Sequence, residues 1–147
     1  MSPIRVDFYL LDDSQQADAC WLVACRLLEK AYHREHRVFV LCDSPQDAER
    51  LDELLWTYKE DSFVPHNLQG EGPEPPPAIQ IGWGKEPRGF HDILLNFSEE
   101  VPTFYTKFKR VIEIVGTSDA AKAISRVHYR HYRAHQCHIH THQLNAS

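Results

Sequence analysis

No apolar run in this chain of 147 residues approaches the roughly 20 that a membrane-spanning helix needs. Its start also lacks a basic region followed by an apolar stretch, the pattern of a secretory signal, so a cytoplasmic address away from membranes is the expectation. Glycine is scarce, at 6 residues, and neither G-x-G-x-x-G nor G-K-[ST] occurs. The standard backbone cradles for dinucleotides and nucleoside triphosphates are thereby excluded, because both need glycine where the chain approaches phosphate. The 4 cysteines, Cys20, Cys25, Cys42 and Cys137, form no C-x-x-C pair. Three fall inside predicted elements and read as small buried hydrophobes of a reducing compartment, while Cys137 has polar neighbours. No catalytic constellation is visible either. Asp12, Asp13 and Ser14 have no histidine near them in sequence, and Asp52 and Glu53 point in different directions on a helix.

Acid is unevenly spread. Residues 1–106 hold 9 Lys and Arg against 19 Asp and Glu, whereas residues 107–147 hold 7 against 2. A body at −10 repels bare DNA, and an end at +5 attracts an anionic partner, so any DNA contact is expected to be indirect. With 42% apolar and 25% charged residues, this length suits one soluble globular domain spanning 1–147.

Strand and helix signals alternate. Arg5–Leu11 reads as a strand and Asp12-Asp13-Ser14 as a turn. Gln16–Arg34 reads as a helix, with Cys20, Val23, Ala24, Leu27, Leu28, Ala31 and Tyr32 at three- and four-residue spacing. Arg37–Cys42 is a continuous apolar strand of the kind covered on both faces. Ser44-Pro45-Gln46-Asp47 supplies an N-cap, a first-turn proline and an acid for a helix running to Trp56. Gln69–Pro77 (QGEGPEPPP) is a loop, Ala78–Trp83 and Asp92–Phe97 are strands, and a short helix is predicted over Phe104–Arg110. Val111–Val115 is the last predicted strand. Ser118 or Asp119 then caps a helix to Arg133, and residues 135–147 are expected to form a flexible His-rich tail. The pattern predicts a three-layer α/β domain with a mainly parallel central sheet, Rossmann-like without a phosphate-binding loop.

Three features could carry function. Trp56 ends a helix and Phe63 stands just before Val64-Pro65-His66, so two large rings flank a turn that Pro65 keeps from being helical. They either close the core at one end of the sheet or offer an anchor to a partner. On the last helix Lys122, Arg126 and Arg130 recur every fourth residue beside Tyr129 and Arg133, while Ala123, Ile124 and Val127 are expected to pack inward. That stripe is either a solvated face favoured by the helix dipole or a site for a carboxylate beside an apolar side chain. Lastly, 6 of the 10 histidines lie from His128 onward. Cys137, His138, His140 and His142 could ligate zinc or nickel. Side chains of an extended tract alternate between two sides, so it reads as poorly preorganised, with adventitious metal affinity and no built site. His131 and His135 are four apart on the helix.

LDELLW (Leu51–Trp56) and SFVPHNL (Ser62–Leu68) are joined by Phe8-Tyr9-Leu10-Leu11 and Arg126-x-x-Tyr129-x-x-Tyr132-Arg133. Together they resemble the chi subunit of bacterial DNA polymerase III, collinearly from about Val6 to about Arg133. The resemblance implies a three-layer α/β fold, no catalytic site of its own, no cofactor, and a role as accessory subunit of the clamp-loader assembly. It also implies that Val115, Lys122, Arg126, Tyr129 and Arg130 hold the acidic, phenylalanine-ending C-terminal tail of single-stranded DNA-binding protein. Arg126 and Lys122 would take its carboxylates, and Val115 and Tyr129 would wall the ring pocket. Trp56 and Phe63 would hold the psi subunit, with a repair helicase competing for the same ground, and Pro65 and His66 would fix the loop. Near Gln136 the family commonly has a glycine, which this chain lacks. The competing expectation is an α/β nucleotide-dependent enzyme with a nonstandard phosphate site. A histidine-tailed metal protein is the third.

Overall fold

Five consecutive apolar residues, Val38–Cys42, form a strand buried along its whole length. Alternate side chains point to opposite faces, so Val38, Val40 and Cys42 enter one core while Phe39 and Leu41 enter a second. Such a strand can only be central, with helices over both faces. The computed structural model describes residues 3–12, 19–61, 63–72, 76–89 and 92–144.

The elements in chain order are β1 (Arg5–Leu10), α1 (Ala19–His33), β2 (Val38–Cys42), α2 (Pro45–Thr57), β3 (His66–Leu68), β4 (Ile79–Trp83) and β5 (Ile93–Asn96). A 3₁₀ turn at Thr103–Lys107 follows, then β6 (Arg110–Val115), α3 (Asp119–Ala134) and β7 (His138–Gln143). All strand pairs are parallel, in the order β3-β4-β2-β5-β6-β1-β7. The fold is therefore the expected three-layer α/β arrangement. Leu28 of α1 and Leu51 and Leu55 of α2 pack with Val40, Ile79, Ile81 and Leu95 on one face. Tyr132 of α3 packs with Phe8, Phe39, Leu94, Tyr105 and Val111 on the other.

Local chemistry sets the helix ends. The Ser44 hydroxyl accepts from the Asp47 N–H at 3.2 Å, and Pro45 occupies the first helical turn, where no N–H is needed. Ser118 caps α3 in the same way, accepting from Ala121 N–H at 3.1 Å. Past the end of α3, Gln136 sits at φ 58°, the left-handed cap position that favours glycine.

Four expectations need correction. The end of the chain is not an irregular tail over the described residues, because His138–Gln143 forms the edge strand β7 against β1. Ile139 supplies its apolar anchor in the second core, and an edge strand needs little more. His66, expected to fix a loop with Pro65, instead begins the opposite edge strand β3 (His66–Leu68). The helix predicted over Phe104–Arg110 is the 3₁₀ turn at Thr103–Lys107, and Arg110 already belongs to β6. Val127 is 59% exposed and Ala123 is exposed; His128 and Tyr132 are the residues of α3 that turn inward. The start of the predicted helix at Gln16–Asp18, with Asp13 and Ser14, lies outside the described residues.

Candidate partner-binding sites

Parallel strands ending together leave a crevice beyond their carboxyl ends, and α3 borders it here. A cleft of about 410 Å³ lies there, with Val115, Lys122 and Arg126 in its lining. Val115 ends β6 and is buried, so it contributes apolar wall while staying fixed by the sheet. Lys122 and Arg126 are one turn apart on α3 and bring two cations to the same opening. Among the described residues no ion pair engages Arg126 or Arg130.

Tyr129 and Arg130 lie outside that lining. The Tyr129 ring rests 5.8 Å from the Phe8 ring, tilted by 52° and 36% exposed, one turn along α3 from Arg126. Arg130 continues the cationic stripe on the exposed surface of α3. Sequence reasoning thus named three residues that meet in the cleft and two on the helix leading away from it. It missed Leu10, Leu11 and Gln143, which also line the cleft. The apolar end of β1 was a signal for the leucines. Gln143 had none, because β7 was not foreseen.

A buried polar cluster fixes α3 over the sheet. Glu113 of β6 accepts from the Tyr132 hydroxyl at 2.7 Å and from Asn96 Nδ2 at 3.0 Å. His128 Nδ1 donates to the other Glu113 oxygen at 2.9 Å, and His128 Nε2 donates to the Glu99 carbonyl at 2.6 Å. Burial alone would lower the His128 pKa. The hydrogen bond and charge of Glu113, with the Glu99 carbonyl, outweigh burial and leave it raised. His128 is thus structural and not a metal ligand.

Trp56 is 53% exposed and Phe63 62% exposed, with ring centroids 5.7 Å apart. Neither closes the core. Trp56 also lies 4.6 Å from the His66 ring. Both nitrogens of His66 meet carbonyl oxygens, Val64 at 2.6 Å and Asp52 at 3.0 Å, so this buried ring ties the loop to α2. A groove of about 350 Å³, lined by Trp21, Leu22, Arg50 and Leu54, separates α1 from the same helix and was not foreseen.

The other expectations resolve locally. Cys25 and Cys42 are buried thiols pushed up to about 12 by desolvation, with nearby carboxylates adding to the effect at Cys42; Cys20 and Cys137 are half-buried, and all four are free. Asp12 shares the lining of the cleft with Lys122 and Arg126. On β7, His138, His140 and His142 are two residues apart and share one side of the strand, since the strand period is two. The reading of that tract as divided between two sides is corrected for these three. His142 Nε2 is engaged with Asp7 Oδ1 at 2.7 Å. Among the described residues no group of three or more His, Cys, Asp or Glu side chains is placed to hold a metal, and no helix is long and apolar enough to cross a membrane.

The family model for the DNA polymerase III chi subunit, HolC, matches residues 4–140. The chain belongs to this family. DNA polymerase III subunit chi of Pseudomonas aeruginosa is 37% identical over 141 residues, spanning 95% of this chain and 96% of that protein. The subunits chi of Escherichia coli and Haemophilus influenzae are 35% and 34% identical, each spanning 86% of this chain and 88% of theirs. Among solved structures, T4 UvsW superposes with a TM-score of 0.61 at 9% identity, over 97% of this chain. This chi-family chain spans 41% of UvsW, and at that identity the likeness is one of fold alone.

Proposed function

We propose that this chi-family chain is a non-catalytic cytoplasmic adaptor of DNA polymerase III, touching DNA only through its partners. One face would hold the psi subunit, tethering it to the clamp-loader assembly, on ground a repair helicase could contest. The other would hold the acidic C-terminal tail of single-stranded DNA-binding protein. The observation that carries this reading is the meeting of Val115, Lys122 and Arg126 in one cleft. An apolar wall beside two cations suits a terminal carboxylate attached to a phenylalanine, since the ring is desolvated while the charge is paired. Tyr129, with one face against Phe8, would extend the wall, and Arg130 would meet acidic residues further along the tail. Exposed Trp56 and Phe63 fit the second contact as desolvated anchors.

The test is titration of a fluorescent acidic peptide ending in phenylalanine, at low and high salt. Arg126→Ala is expected to weaken binding by about tenfold or more, equivalent to losing a charge-assisted hydrogen bond of roughly 1.5–3 kcal/mol. Affinity should fall as salt rises. An unchanged dissociation constant in the variant removes the assignment. Thermal stabilisation by a nucleotide would instead favour an enzyme.

A further inference from the structure

A second group of cations stands across the sheet from α3, where α1 ends. Lys30 and Arg34 are four residues apart there, and both are exposed. With Arg110, His36 and Tyr9 they line a cavity of about 60 Å³, floored by the buried Ile93 and Ile112. That is several times the ~10–15 Å³ that one water needs, and too little for a nucleoside. No Asp or Glu stands in the lining.

The donors around this cavity are unspent. Among the described residues nothing pairs with the Lys30 ammonium or the Arg34 guanidinium. Arg110 and Tyr9 reach the cavity from β6 and β1. The Arg110 guanidinium donates through Nε to Asp7 at 2.7 Å and through Nη2 to the Tyr9 hydroxyl oxygen at 3.1 Å. These bonds fix its plane and leave Nη1 without an acceptor among the described residues. A hydroxyl that accepts from arginine has its own proton to give, and among the described residues nothing takes it. Asp7 is already engaged by Arg5, Arg110 and His142. The helix dipole accounts for Lys30 and Arg34 at a carbonyl end. It gives no reason for a guanidinium and a hydroxyl brought to the same cavity by two strands. The carbonyls of Lys30, Ala31 and Tyr32 accept from the Arg34, His36 and Glu35 N–H groups, so the helix end sets little bare negative charge against an anion.

We propose that Lys30, Arg34, Arg110 and Tyr9 form a site for a phosphate-class dianion, free or as the end group of a phosphomonoester. Three cationic groups and a hydroxyl donor suit a tetrahedral oxyanion, whose oxygens accept from several directions at once. A carboxylate has two oxygens in one plane and leaves part of the set unused. Arg110 begins β6 and Val115 ends it, so this site and the peptide cleft lie roughly 17 Å apart along the strand.

Inorganic phosphate titrated into the full chain at pH 8, with ionic strength held by sodium chloride, tests the site by amide NMR. The amide signals of Arg34, His36 and Arg110 should move along one saturable curve. Lys30→Gln/Arg34→Gln, at exposed positions, should weaken binding about tenfold or more, and Tyr9→Phe, which keeps the ring, several-fold. Affinity of the acidic peptide for the double variant should stay within about twofold of the parent, which separates this site from the peptide cleft. Glycerol 3-phosphate distinguishes the two sources. Binding as tight as that of phosphate assigns the site to the end group of a larger molecule, and binding of phosphate alone assigns it to the free ion. No saturable shift in the parent overturns the proposal. So does unchanged affinity in Lys30→Gln/Arg34→Gln, or shifts confined to Lys122 and Arg126, which would put the anion in the peptide cleft.

Discussion

The Tyr132 hydroxyl donates to Glu113 Oε2 at 2.7 Å, joining the inward face of α3 to the middle of β6. Both residues are buried, Tyr132 fully, so the hydroxyl has no water to turn to. The contact also pushes the tyrosine hydroxyl's pKa far up, through burial first and then the adjacent carboxylate. Because Lys122 and Arg126 ride on α3, this anchor sets where the cationic cleft stands. Tyr132→Phe keeps the ring packing and removes one donor to a buried carboxylate. It should cost about 2 kcal/mol, read as a lower urea midpoint with an unchanged slope.

His128 makes this anchor depend on pH. Its two nitrogens face a carboxylate and a carbonyl, both acceptors, so the protonated ring satisfies both. Its folded pKa is raised above the ordinary ~6.5. The stabilisation is therefore complete below that ordinary value and is lost as pH climbs through the folded value. Urea midpoints of the parent and His128→Gln, measured from pH 6 to 9, should converge as pH rises. A gap constant with pH would show that the ring contributes packing alone.

Asp7 works in the opposite direction. Its side chain is 0% exposed and accepts from Arg110 Nε at 2.7 Å, Arg5 Nε at 3.0 Å and His142 Nε2 at 2.7 Å. Burial would raise its pKa, but the bonds from Arg5, His142 and Arg110 hold it down at about 2. The stabilisation is present above the usual carboxylate value of ~3.9 and disappears as pH falls through about 2. Asp7→Asn should cost about 2 kcal/mol at neutral pH, the range for losing hydrogen bonds to a charged group, since the cations left behind are partly exposed and can be solvated. Hydrogen exchange should show β7 losing protection first, because His142 is its tie to Asp7.

The sheet and caps were legible because their signals are local. Val38–Cys42 is apolar on both faces, and Ser44-Pro45 marks a helix start whatever surrounds it. The edges were not. β3 is three residues long, and β7 (HIHTHQ) has one apolar residue, so both depend on their neighbours for pairing. Glu113 within Val-Ile-Glu-Ile-Val reads as a solvent-facing alternation, yet its partners come from β5 and α3. Contacts formed at a distance in sequence leave no local trace. For the cleft, helical spacing announced the cations, while its far wall required β7.

Phe63 lies just before β3 at one edge of the sheet, whereas the cleft opens near β6, β1 and β7 at the other. The β3–β6 separation is four strand spacings, roughly 19 Å. Substitutions that far apart, sharing no partner, add independently to within about 0.5 kcal/mol. At 62% exposure Phe63 contributes little to the core, so Phe63→Ala should leave the circular-dichroism spectrum intact. It should abolish psi binding while leaving acidic-peptide affinity within about twofold, and Arg126→Ala should do the reverse. The double variant should then show both losses and no coupling. Loss of the native spectrum in Phe63→Ala would return that ring to the core. A coupling above about 1 kcal/mol would mean that the two partners share one surface, ending the picture of an adaptor with two separate faces.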